Sequence, residues 1–193
     1  MKSSRTVSHL RRLGTTCLVL AIASALAHLA GLLVVIGTNV LPFWTISGIL
    51  LIAYLTLLVV AYLAARGSTV PPVARSVLVF RTISISALCL LCLSGAFNDF
   101  GASYRVLDPP AANGCRAVVR EVSFLFAGSG EVYSAWPFGI ASRTGSWTAD
   151  DGYKPVAHGS YTLNWHGNEG VLHLVGDHDP VWPALQTVRC GLV

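Results

Sequence analysis

Apolar positions dominate three long stretches in the first half of the chain, residues 13–36, 40–65 and 77–97. Each reaches or exceeds the roughly 20 residues a helix needs to cross about 30 Å of hydrocarbon, so three transmembrane helices are predicted. The first two stretches are joined by Gly37-Thr38-Asn39, a short turn that would set the helices antiparallel. Pro71 and Pro72 break the second stretch before the third begins. Beyond Cys115 the period changes to two. Strands are predicted over 116–126 and 131–136, turning through 127–130, and over 161–165 and 171–175, turning through 166–170. Both patterns are hairpin signatures.

The pattern therefore predicts an α + β membrane protein: three transmembrane helices followed by a small antiparallel β domain, barrel-like or sandwich-like. Its expected divisions are a basic N-terminus at 1–12, helices within 13–97, a linker at 98–114 and the β domain at 115–193.

Charge sharpens this picture. No acidic residue precedes Asp99, whereas Lys2, Arg5, Arg11, Arg12, Arg66, Arg75 and Arg81 all do. From Asp99 onward nine acids stand against six bases, so the formal charge of +4 resides beside the apolar runs. That placement sets orientation and argues against nucleic acid as a partner. The basic N-terminus and the loop bearing Arg66 and Arg75 are expected in the cytoplasm, with 98–193 outside the cell membrane. The first run carries Ala25-Leu26-Ala27, which fits the small-residue pattern of a signal-peptide cleavage site, but it continues too far for a signal core. It is expected to remain as a helix. The 11% charged content and the mean hydropathy of +0.62 agree with a membrane protein.

Cys115 and Cys190 bracket the β domain, and an oxidising compartment would join them. Closing so long a loop is worth roughly 4 kcal/mol in the chain-entropy model. The bridge is expected to lay the first and last strands side by side.

Several residues are candidates for chemistry. His28 and Arg81 are ionisable groups inside the predicted spans, where such groups are functional candidates. The spans hold no carboxylate, which disfavours a coupled cation transporter. Cys89 and Cys92 form a CxxC whose sulfurs share one helix face. This spacing resembles the thiol pair of the vitamin K epoxide reductase kind of membrane oxidoreductase. The resemblance implies quinone-coupled disulfide formation with Cys115 and Cys190 as relay. It is confined to that spacing, and those enzymes have at least four core helices. Cysteine also serves as a small apolar filler. His166, His173, Asp177, His178 and Asp179 supply metal-ligand types, but not in HExxH order. No phosphate-binding glycine loop, GxSxG elbow or catalytic triad is present, and no motif calls for a cofactor. Trp136, Trp147, Trp165 and Trp182 divide between core packing and contact with a partner or glycan.

Small residues at Ala23, Ala27 and Gly31, with the polar face of the third helix, predict association with a protein partner or a second copy within the bilayer. The expected function is a non-enzymatic accessory, sensor or envelope-binding module. The alternatives are a membrane enzyme, by thiol redox or metal-dependent hydrolysis, and a channel-like oligomer.

Overall fold

A computed structural model describes residues 2–65, 75–176 and 180–190. The chain divides into two compact units. One comprises residues 1–30 and 43–97, the other 31–42 and 98–193.

The first unit holds α1 (Lys2–Leu29), α2 (Phe43–Ala65) and α3 (Arg75–Asn98). All three are long and apolar enough to cross a membrane. Leu18, Ala21 and Ala25 of α1 pack with Leu51 and Tyr54 of α2 and Leu88 of α3. The Ser47 hydroxyl donates to the Ala21 carbonyl at 2.9 Å inside this contact. Gly95 of α3 lies directly under the Trp44 indole, so close that a Cβ would sit 2.6 Å from the ring's Cγ. Buried small residues thus let the helices approach. Ala23 is exposed and Gly31 lies outside α1, whereas Ala21 and Ala25 form the seam. On α3 only Leu88 and Gly95 are buried, with Ile85, Cys89 and Leu91 partly buried beside them, and most of its other apolar side chains are exposed.

Among the described residues, the second unit is built from ten antiparallel strands. They are β1 (Leu32–Ile36), β2 (Asn39–Pro42), β3 (Ser103–Val106), β4 (Arg116–Phe124), β5 (Ala127–Ala135), β6 (Ile140–Asp150), β7 (Tyr161–His166), β8 (Glu169–Leu174), β9 (Val181–Trp182) and β10 (Leu185–Arg189). The larger sheet runs β2-β1-β6-β5-β4-β3, with β9 added at the far part of β6; the smaller runs β10-β8-β7. The edge strands β2 and β3 come into contact with each other, so the larger sheet is nearly a barrel. Leu33, Val118, Tyr133, Ala135 and Ala141 fill its interior. Its other face, through Val119, Val132, Trp147 and Ala149, packs on Leu172, Leu174 and Val188 of the smaller sheet.

Three expectations are corrected. The apolar run 13–36 is not one helix. α1 stops at Leu29, Gly31 takes φ +70°, and the β-branched run Val34-Val35-Ile36 forms a strand. The turn at Gly37-Thr38 closes a β-hairpin whose first strand pairs with β6, Leu32 opposite Ser142 and Val34 opposite Ile140. Residues 98–114 are not a free linker, because β3 pairs with β4 and Leu107 and Ala111 are buried in the core. The Cys115–Cys190 disulfide is present, with Cα atoms 6.1 Å apart, but it does not join neighbouring strands. β4 lies in the larger sheet and β10 in the smaller, so the bridge ties one sheet to the other.

Gly139 fits β1 against the β5–β6 turn. Val35 donates its N–H to the Gly139 carbonyl at 2.8 Å. At φ +87°, a Cβ on Gly139 would stand 2.7 Å from the Val35 carbonyl oxygen. Gly139→Ala therefore combines backbone strain with a clash and should cost about 1–3 kcal/mol. Gly37→Ala, at φ +64° in open space, carries the backbone cost alone and should cost less. Denaturant unfolding of the two full-length variants in detergent checks the order.

Candidate functional site

Charged and hydroxyl side chains gather on one part of the larger sheet because its register stacks them. Tyr104 faces Arg120 across β3–β4, and Arg120 faces Glu131 across β4–β5. Tyr133 faces Arg143 across β5–β6, where a bulge follows Val132. Arg120 Nε donates to Asp99 Oδ1 at 2.7 Å. Its Nη1 reaches Glu131 Oε2 at 3.5 Å, and its Nη2 donates to the Asn98 carbonyl. Arg143 Nη1 donates to Glu131 Oε1 at 2.9 Å. The Tyr104 hydroxyl donates to Asp99 at 2.9 Å, and the Tyr133 hydroxyl to Glu131 at 2.6 Å.

The result is a ladder of alternating sign, Asp99–Arg120–Glu131–Arg143, closed by two tyrosines. Burial, with the adjacent carboxylates, pushes both phenols well above their ordinary pKa and keeps them protonated. Burial opposes the Arg120 charge most strongly, yet its bond to Asp99 and the charges of Tyr104, Asp99 and Glu131 together outweigh that and favour the cation. Every carboxylate of the ladder accepts from at least one donor. Its consequence is positional: it fixes the Arg143 guanidinium.

Arg143 also lines a groove of about 360 Å³ with Ser134, Trp136, Ser142, Thr144, Thr187 and Arg189. The side chains of Arg143 and Arg189 are 56% and 80% exposed. Arg189 pairs with Glu169 at 3.6 Å, and each guanidinium, with five N–H donors, keeps some for a ligand. Trp136 stacks on Phe138 with ring centroids 5.7 Å apart. Two forked donors, hydroxyls and an indole can hold a polar, hydroxyl-bearing molecule.

The other expected candidates are dispersed. Trp147 is buried in the core, and Trp165 is half-buried with its indole N–H donating to the Pro109 carbonyl. Trp182 is exposed. His173 pairs with Thr162 and His166 with Glu169, which separates the two histidines by four ladder positions, about 13 Å. Asp177, His178 and Asp179 lie outside the described residues. Among the described residues, no group of three metal-ligating side chains comes together. Cys89 and Cys92 are free thiols. Cys89 packs against the helix core, and Cys92 Sγ lies 3.7 Å from the Trp44 carbonyl. His28 stands in the last turn of α1, and Arg81 is half-buried on α3.

One titratable side chain that the sequence did not single out is deeply buried. Glu121 is 1% exposed. It accepts the N–H groups of Val156 and Ala157 at 2.9 and 2.8 Å, pinning the loop before β7. Burial raises its pKa, and the two N–H bonds offset only part of that. A carboxyl whose folded-state pKa is raised contributes stability that is full below its unfolded value, about 4.3, and is lost as pH rises through the folded value. Glu121→Gln keeps one acceptor and loses the charge. It should destabilise the domain by about 1–3 kcal/mol at pH 4. The gap from wild type should narrow toward pH 7, as denaturant titrations at the two pH values will show.

Compared with protein-family models, with curated proteins and with solved structures, the chain matches none.

Proposed function

We propose that this is an integral membrane protein acting as a non-enzymatic binding module, whose β domain takes a hydroxyl-rich envelope glycan in the Arg143–Arg189 groove. The basic N-terminus and residues 66–75 face the cytoplasm on this reading, by the distribution of Lys and Arg. Pairing of β1 with β6 supports the same topology by an independent route. Three crossings leave residues 31–42 and 98–193 on one side, and strands of both segments share a sheet.

The observation that carries the binding assignment is the meeting of two exposed guanidinium groups, an aromatic edge and several hydroxyls in a single groove. Its volume lies within the range of small-molecule sites. Sugars are held by this combination: planar donors to hydroxyl or carboxylate oxygens, and an aromatic surface against the ring's C–H face. The charged ladder holds Arg143 in place before ligand arrives, which lowers the ordering cost of binding.

The test is titration of soluble cell-wall glycan fragments into the full-length protein in nanodiscs. Arg143→Ala combined with Arg189→Ala should weaken binding at least about tenfold, the loss of a charge-assisted contact or more. Trp136→Ala should weaken it less. Absence of glycan binding by the wild type, or equal affinity in the double variant, overturns the assignment.

A further inference from the structure

The β4–β5 hairpin turns through two residues, Leu125 and Phe126, and presents three consecutive apolar side chains to solvent. Phe124, Leu125 and Phe126 are 64%, 77% and 79% exposed. Leu125 takes φ +54°, a left-handed conformation where a bulky side chain is costly and Gly or Asn is usual. The side chain gains no packing within the domain in return. A strained, exposed leucine between two exposed phenylalanines points to a surface the tip meets elsewhere.

The strand register shows which surface. Residues 98–102 lead from α3 into β3, and Ser103 lies opposite Glu121. Following β3 backward toward α3 therefore runs along β4 toward Phe124. Following β1 backward from Leu32 toward α1 runs along β6 away from Ser142 toward Asp150, the residue opposite Ala127. Following β2 forward to Pro42 and α2 runs the same way, since Pro42 lies opposite Leu33. All three connections to the apolar helices thus leave the sheet toward the end that carries the tip. Five residues separate Phe97 of α3 from Ser103, six Cα steps with a reach of at most about 20 Å. Two more exposed aromatics stand toward this end: Phe100, 78% exposed, and Trp182, 79% exposed on β9 opposite Thr148.

We infer that the Phe124-Leu125-Phe126 tip inserts into the lipid surface of the membrane that the helices span, flanked by Phe100 and Trp182 at headgroup depth. Tryptophan favours this interface, and phenylalanine and leucine bury their apolar surface at the headgroup–acyl boundary. Asp150 and Asp151 neighbour the tip and are exposed, so attraction to anionic lipid does not drive the contact. Apolar burial does, and the contact survives high salt.

The inference rests on the membrane reading above, and the test separates the two. Nitroxide labels are placed at Leu125→Cys, Thr38→Cys and Ile52→Cys in full-length protein whose Cys17, Cys89 and Cys92 are replaced by alanine. The protein is reconstituted in vesicles of phosphatidylethanolamine and phosphatidylglycerol. Oxygen, which partitions into lipid, is compared with a nickel chelate, which stays in water. Ile52, an exposed position on α2, should favour oxygen, and Thr38, at the opposite end of the sheet, should favour the chelate. Leu125 should show a severalfold higher oxygen-to-nickel ratio than Thr38, unchanged at high salt. Phe126→Cys gives the same reading should Leu125→Cys fold poorly, with the Cys115–Cys190 bridge reporting folding. A Leu125 label as wet as Thr38, with Ile52 in lipid, overturns the tip contact alone and leaves a protein partner as its occupant. Water at Ile52 as well overturns the membrane reading together with it.

Discussion

Backbone hydrogen bonding between β1 and β6 is the constraint on which the rest of the molecule depends. It takes a segment lying between two apolar helices, residues 31–42, and makes it part of a sheet otherwise built from β3 to β6 and β9. Three covalent connections then link the β domain to the helices, at 30–31, 42–43 and 97–98, in place of one tether.

The polar groups of the domain support this frame. Cys115–Cys190 ties the larger sheet to the smaller, and Glu121 pins the loop that leads into β7. The Asp99–Arg120–Glu131–Arg143 ladder binds the residues that follow α3 to the middle strands. Such a ladder gives little net stability, because desolvating each charge costs about what its pairing returns. What it supplies is geometry, and Arg143 is its exposed end.

Much of the architecture was legible from the sequence. Long apolar runs without carboxylates specify helices that could cross a membrane, and the alternation after Cys115 specifies antiparallel strands. Legibility failed where signals were short or shared. Leu32 to Ile36 is as apolar as the helix before it, so hydropathy alone could not separate strand from helix; only Gly31, Gly37 and the β-branched residues marked the change. β3 has four residues, too few for periodicity to show. The charged ladder was hidden by turn placement. A turn read at 127–130 pairs Arg120 with nothing charged, whereas the actual turn at Leu125–Phe126 sets it opposite Glu131. The glycine-rich segment had drawn the turn away from two bulky apolar residues, an unusual choice for a hairpin tip. The groove assembles residues from β5, β6 and β10, and no spacing along the chain announces such a meeting.

The pairing of β1 with β6 is tested most directly by a designed cross-link. Leu32→Cys and Ser142→Cys, introduced together in the background free of Cys17, Cys89 and Cys92, place two thiols at directly opposed ladder positions. Spontaneous formation of a second disulfide in the intact membrane, shown by linked proteolytic fragments, is the expected result. A pair that stays reduced while Cys115 and Cys190 are joined would contradict the account.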